Sequence, residues 1–331
     1  MQVPFWVWVA TIAGIIGLFV FDFFAHLRTP HEPSIREAST WTTFYVGLAV
    51  IFGIAMRLIS DSQHGLEFFA GYLTEYSLSI DNLFIFIIIM ASFGVPRIYQ
   101  QKVLMIGIAI ALVMRGIFIA LGAAVIENFS WVFYIFGAFL LFTAWKLAQQ
   151  SDHDDEYHEN AVIRFVRRIL PTSEQYVGDQ MIARIDGRRM ITPMAIVMLA
   201  IGSTDLLFAF DSIPAIFGLT QEPYIVFTAN AFALLGLRQL YFLLGGLLSR
   251  LVYLSIGLAV ILAFIGAKLV IHAMHENEVP FINGGEHITV IPEIPTLLSL
   301  AFIIVTISVT AALSLMKTRA DERNGATPAI G

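Results

Sequence analysis

"STDLLFAFDSIPAIFGLT", residues 203–220, sets Asp205 and Asp211 inside an otherwise apolar run and follows the second with Pro214. A charged carboxylate at the centre of a bilayer costs about 2.5–3.5 kcal/mol even on the lenient insertion scale. The rest of the chain says which solvent surrounds it. Of 331 residues, 58% are hydrophobic and only 13% charged, with mean hydropathy +0.79, where an ordinary soluble domain has roughly 25% charged residues. By composition this is a membrane protein. Working outward from 203–220, nine apolar stretches approach the roughly 20 residues that cross a bilayer. They are approximately 4–25, 41–59, 66–92, 103–126, 130–148, 192–217, 223–246, 251–273 and 295–316. The expected fold class is all-α, a polytopic membrane helix bundle of nine transmembrane helices.

No Lys or Arg precedes the first run and no A-x-A site follows it, so it reads as an uncleaved helix rather than a signal peptide. Orientation follows from the basic residues. With the N terminus outside, the inward segments hold Arg28, Arg36, Arg97, Lys102, Lys146, Arg164, Arg167, Arg168, Arg184, Arg188, Arg189, Arg250, Lys317, Arg319 and Arg323. The outer side keeps Arg57 and Lys268, and Arg115 and Arg238 fall within spans. That bias places the N terminus outside and the C terminus inside a cytoplasmic (plasma or inner) membrane. The net charge of −6 comes with no basic, aromatic-interleaved face, so no nucleic-acid partner is expected. The absence of cysteine excludes disulfides, thiolate metal sites and cysteine nucleophiles.

Apart from Arg57, Glu67, Lys146 and Lys268 near span ends, the charged residues within the spans are Asp22, Glu75, Asp81, Arg115, Asp205, Asp211 and Arg238. Together they represent on the order of 20 kcal/mol of insertion cost, which demands compensation. "EYSLSIDNLFIF" (75–86) in the third span matches "DLLFAFDSIPAIF" (205–217) in the sixth: an acid, a five-residue gap, an Asp, then Asn or Ser. Each following span carries one Arg, and the span after that a Gly and a Lys (Gly137 and Lys146; Gly257 and Lys268). Spans 3–5 and 6–8 therefore read as two copies of a three-helix unit. An odd number of spans per copy turns the second upside down, giving an inverted repeat. The organisation expected is two N-terminal helices (1–65), repeat 1 (66–148), a cytoplasmic loop (149–191), repeat 2 (192–273), an outer loop (274–294), a ninth helix (295–316) and a cytoplasmic tail (317–331). In the loop, "MIARIDGRRMIT" suggests a hairpin about Asp186-Gly187, and "SDHDDEYHEN" reads as solvated linker rather than a metal site.

Antiparallel packing of spans 3 and 6 would set Asp81 near the level of Asp205, with Glu75 near Asp211. Six residues of helix advance about 9 Å and turn through 120°, so one straight helix cannot aim both its acids at one point. Pro214 removes the amide that would bond the Phe210 carbonyl, and an opened turn there would free backbone oxygen beside Asp211. Ser79, Asn82, Thr204, Ser212 and Asn230 are further oxygen donors nearby. Four carboxylates with amide and hydroxyl oxygens, and no mid-membrane His, make a hard-ligand site suited to Mn²⁺, Ca²⁺ or Mg²⁺. The candidate metal-holding residues are thus Glu75, Asp81, Asn82, Asp205, Asp211 and Ser212. Ser79, Thr204, Phe210 and Asn230 support them, with Arg115 and Arg238 as interhelical ties or counter-charges. Asp22 reads as structural or interfacial. No GxGD motif and no buried nucleophile beside a base is present, so no enzyme is expected.

On "GYLTEYSLSIDNLFIF" (71–86), "WVFYIFGAFLLFTAWK" (131–146) and "STDLLFAFDSIPAIFGLTQEPYIVFTANAFALLGLRQLYFLLGG" (203–246), the chain resembles the TerC/Alx family of bacterial membrane proteins. The resemblance covers about 66–316. It implies inverted three-helix repeats similar to the LysE-type transporters and divalent-metal handling, chiefly Mn²⁺ export. Asp81 and Asn82 match the family's DN pair, Glu75 its preceding acid, Asp205 the first acid of the sixth span, and Asp211, Ser212 and Pro214 its DSIP turn. Many relatives carry a glutamate where this chain has Gly202. The expectation is a secondary transporter exporting a divalent cation, Mn²⁺ first and Ca²⁺ second, by alternating access, with exchange for protons as a secondary hypothesis. The alternative is a membrane scaffold that supplies metal to exported proteins without net transport. No tightly bound cofactor is expected; the metal ion is substrate. The lipid bilayer, a second copy of the chain and exported metalloproteins are the other partners considered.

Overall fold

The computed structural model describes residues 3–27, 33–129, 131–149, 163–164, 168–173, 175–185, 188–244 and 252–323. In chain order these form α1 (Phe5–Leu27), α2 (Ile35–Ile59), α3 (Ser62–Ser92), α4 (Arg97–Asn128) and α5 (Val132–Gln149). Then come β1 (Ile182–Ile185), β2 (Arg188–Ile191), α6 (Pro193–Phe217), α7 (Pro223–Leu235), α8 (Leu237–Leu244), α9 (Leu254–His275) and α10 (Thr296–Arg323). Among the described residues, nine segments are long and apolar enough to span a membrane, with α7 and α8 forming one of them. The protein is an all-α polytopic bundle. Several helices outrun their apolar cores: α2 begins at Ile35, where Ser34 Oγ accepts from the Glu37 amide at 3.2 Å. A polar cap lowers hydropathy while extending helical hydrogen bonding, so hydropathy alone starts such a helix late.

Packing relates the two three-helix sets to one another. Thr220, just past the end of α6, bonds Glu67 near the start of α3, and a turn along, Gly71 lies against Ile216. Those two contacts run α3 and α6 antiparallel. On α4 and α6, Gly107 meets Ile201 and Gly122 meets Phe217, a parallel pair. On α3 and α7, Gly71 meets Ala229 and Tyr76 meets Gly236, again parallel. The α5 and α9 pair is antiparallel, with Phe133 edge-on to His272 at 4.9 Å and Gly137 facing Gly266. Exchanging α3 with α6, α4 with α7, and α5 with α9 maps this contact set onto itself. The α7–α8 span is the most buried, and α1 and α10 are peripheral.

One sequence expectation, a helix break at Pro214, is corrected, and a close packing of Gly137 on Gly266 is added to the sequence picture: a Cβ on Gly137 would sit 2.9 Å from the Gly266 carbonyl oxygen, and one on Gly266 would sit 3.0 Å from that of Gly137. Gly257 packs on Thr310 of α10. The helix break falls elsewhere. α6 runs unbroken through Pro214, whereas the seventh span stops and restarts at Gly236. Pro214 stands in the last turn of α6 and deprives only the Phe210 carbonyl of a donor. Glycine, by contrast, is a weak helix former at which kinks concentrate.

Outside the bundle, β1 and β2 pair antiparallel with Ile182 opposite Ile191 and Ile185 opposite Arg188. That register leaves 186–187 as a two-residue connection, itself outside the described residues, as is the acidic stretch 151–160. The segment before the hairpin is tied to the bundle, because Tyr176 donates to the Phe93 carbonyl at 2.8 Å and Lys102 bonds Asp179. The Lys102 hydrogen bond is the main reason the Asp179 carboxyl is held below its ordinary pKa.

Candidate ion site

Glu75 on α3, Arg115 on α4 and Asp205 on α6 converge at the centre of the bundle, exposed to 0%, 1% and 1% respectively. Arg115 grips Asp205 with two donors, Nε to Oδ2 at 3.2 Å and Nη2 to Oδ1 at 3.0 Å, and its Nη1 meets Glu75 Oε1. The planar guanidinium suits this task because its donors diverge in a fixed fork that matches a carboxylate edge. α3 and α6 are too far apart in level at residues 75 and 205 for their acids to meet directly. The long Arg115 side chain spans the difference. One turn along α3, Ser79 Oγ donates to Glu75 Oε1 at 3.4 Å.

Beside this ion-paired set lies unmet hydrogen-bonding capacity. Glu75 Oε2, Thr74 Oγ1, Ser212 Oγ and both amide atoms of Asn230 are buried without a partner among the described residues. The contacts of Glu67 with Thr220 and Gly71 with Ile216 put Ser212 level with Glu75. Asn230 follows Ala229, which touches Gly71 one turn from Glu75. Each such buried polar group left unsatisfied costs about 1–3 kcal/mol. Oxygen-rich and free of sulfur and imidazole, the set has the chemistry of a hard-cation site.

Of the other residues singled out in the sequence, Asn82 and Thr204 are buried on α3 and α6. Asp81 and Asp211 occupy backbone positions in the same two helices, but their side chains lie outside the described ones. Phe210 is half exposed, so its side chain faces away from the site. Arg238 belongs to a separate assembly: its Nη2 donates to Asp22 Oδ1 at 2.8 Å, and Gln239 Nε2 donates to the same oxygen at 3.1 Å. The repeat places Arg115 and Arg238 in corresponding spans, yet among the described side chains only Arg115 touches Glu75 and Asp205. Among the described residues, no group of three or more His, Asp or Glu side chains stands ready to hold a metal. Glu75 and Asp205 are two, with a guanidinium between them.

A feature the sequence reading missed is a cavity of about 580 Å³ at the end of the bundle where α3 begins and α6 ends. Glu67, Thr220, Lys268, His272 and Glu293 line it. Thr220 Oγ1 donates to Glu67 Oε2 at 2.6 Å, and His272 Nδ1 lies 3.0 Å from Glu293 Oε1. The signal was present: Glu67, Gly71 and Glu75 follow at intervals of four, one helical face. At Gly71 that face closes, because a Cβ there would be only 3.3 Å from both Ile216 and Ala229. Packing of Gly71, Ile216 and Ala229 thus separates the cavity from Glu75.

A family model described as "Integral membrane protein TerC family" matches residues 60–322. The chain belongs to the TerC family. It is 50% identical over 322 residues to the uncharacterized membrane protein Rv2723 of Mycobacterium tuberculosis, covering 96% of this chain and 81% of that protein. It is 39% identical over 264 residues to the membrane protein STKORF319 of Myxococcus xanthus, covering 80% and 83%. It is also 39% identical over 253 residues to the "Putative membrane-bound redox modulator Alx" of Escherichia coli K12, covering 74% and 78%. No solved structure matches. The TerC segment takes in Glu75, Arg115 and Asp205 together and leaves out Asp22, which separates the central set from the pairing made by Arg238.

Proposed function

We propose that this TerC protein is a secondary transporter that carries a divalent cation, Mn²⁺ foremost, out across the cytoplasmic membrane. The observation that supports it most is the bridging by Arg115 of Glu75 and Asp205, buried acids from two oppositely running helices, level with buried oxygens that have no partner among the described residues. Intramembrane acids facing a bundle interior are by default functional groups, and inverted repeats place cation sites at their interface. Asp81 and Asp211 extend the acids of the same two helices and complete the ligand set. With the N terminus outside, the cavity about Glu67 is the outer vestibule, and the Gly71–Ile216–Ala229 packing is the barrier that opens when one repeat rocks against the other. Protons compete for the same carboxylates. The Escherichia coli relative is named for redox modulation. With no cysteine in the chain, thiol exchange is closed to this protein, and we read any redox effect as a consequence of metal supply.

The test is Mn²⁺ flux into vesicles holding the purified protein, with Ca²⁺ and Mg²⁺ as competitors. Flux is expected in the wild type, to be inhibited more by Ca²⁺ than by Mg²⁺, and to fall to the protein-free background in Asp81→Asn and Asp211→Asn. Wild-type flux in either variant would refute the site. Mn²⁺ binding without flux would refute transport and support the scaffold reading.

A further inference from the structure

We propose that Arg115 is a tethered substitute for the transported ion: its guanidinium sits between Glu75 and Asp205 when no metal is bound, and is displaced when metal binds. The inference rests on the transporter reading and adds how the empty carrier returns.

Glu75 and Asp205 are fully buried and carry two negative charges if both are ionised. Moving such a pair through a low-dielectric interior without a counter-ion carries a desolvation penalty of several kcal/mol per charge. A carrier that released its metal would be held in place by that penalty. The geometry supplies the remedy from within, since Arg115 makes two hydrogen bonds to Asp205 and one ion pair to Glu75 while itself only 1% exposed. α4 belongs to the first repeat and packs along α6 of the second, so the arginine spans both moving parts. Among the described residues, the hydrogen bonds and ion pairs of Arg115 go to these two acids alone. Glu75 Oε2 and, at its level, Ser212 and Asn230 have no partner among the described residues, so an incoming cation finds oxygens the guanidinium does not use. Metal and arginine therefore compete for Glu75 Oε1 and Asp205 while the neighbouring oxygens favour the metal alone.

Competition has two consequences that a purely structural arginine would not produce. Removing it should tighten equilibrium Mn²⁺ binding, because the metal no longer has to expel a cation. It should also abolish net transport while leaving exchange of labelled for unlabelled Mn²⁺ intact, because exchange needs only the metal-loaded carrier to cross. The experiment uses full-length protein in vesicles loaded with unlabelled Mn²⁺ or with none, and radioactive Mn²⁺ outside. For Arg115→Met the expected result is about tenfold tighter binding, net uptake reduced at least tenfold, and exchange within twofold of wild type. Arg115→Lys keeps a cation that is too short to reach both acids, and should bind as wild type within about threefold with net uptake lowered and exchange retained. Where Arg115→Met does not yield folded protein, the lysine variant alone decides. Net uptake and exchange falling together, or neither falling, in the folded variant overturns the proposal. Absence of both in the wild type instead removes the transporter reading beneath it.

Discussion

The carboxylate of Asp22 accepts from both Arg238 and Gln239, and all three residues are buried. Removing one partner of such a buried pair leaves an uncompensated charge, typically a loss of about 3–5 kcal/mol. Asp22→Asn is therefore expected to lower the melting temperature of the detergent-solubilised protein strongly. Combining Asp22→Asn with Arg238→Met should recover much of the loss, and Mn²⁺ flux per folded molecule should stay unchanged in the double variant because neither residue touches the central acids. Full loss of flux there would tie Arg238 to transport. The sequence made Arg115 and Arg238 readable as buried charges in equivalent spans, and made Glu75 and Asp205 readable as a matched pair of acids. It did not show which arginine meets which acid. A buried charge takes its partner from whichever helix packs beside it, and Asp22 and Arg238 are separated by 216 positions. Local spacing carries no trace of that contact.

At the crossing of α5 and α9 two backbones come within touching distance, with each glycine's missing Cβ facing the other's carbonyl oxygen. Val270 and Leu141 side chains crowd the same space, and the two carbonyl oxygens, being backbone, cannot swing aside. Gly266→Ala is expected to force the helices apart and cost about 1–3 kcal/mol, in the range of overpacked cores, measured as a drop in thermal stability; stability equal to wild type would show that the crossing is looser than described. The pairing of Gly137 with Gly266 was legible only through the offset of the acid motifs, which carries residue 137 to within one position of 266. The break at Gly236 was masked by an uninterrupted hydropathy profile, and Pro214 drew attention to a helix that continues through it. The strap before the hairpin gives an element-scale test by pH. Since the Lys102 hydrogen bond holds Asp179 below the usual aspartate value of about 3.9, its contribution is complete above that value and is lost as pH falls through the lowered one. Amide exchange in 171–185, corrected for intrinsic rates, should be unaffected between pH 5 and 7 and rise under stronger acid. Asp179→Asn should show the raised exchange already at neutral pH. The effect is modest, because an ion pair this exposed is worth at most about 1 kcal/mol.

The membrane class and the nine spans were legible because a bilayer imposes length and apolarity on every crossing segment. The relation between the two halves was legible because three spans per unit leave the second unit inverted. Which way the whole molecule faces is a separate matter, and the cysteine-free chain suits a direct test. With the positively charged segments inside, Asn283→Cys should react with a membrane-impermeant thiol reagent in intact cells, and Thr318→Cys only after permeabilisation. The opposite pattern would turn the molecule over and make the Glu67 cavity an inner one.

Glu75 and Arg115 lie on consecutive helices, whereas Asp22 meets its arginine only from the eighth. During synthesis the α3–α4 hairpin can therefore pair Glu75 with Arg115 before any later helix is made. Asp22 on the first helix gains its cationic partner only after more than two hundred further residues. The two buried arginines thus differ in reach along the chain: one is neutralised within a hairpin, the other ties the first helix to the eighth.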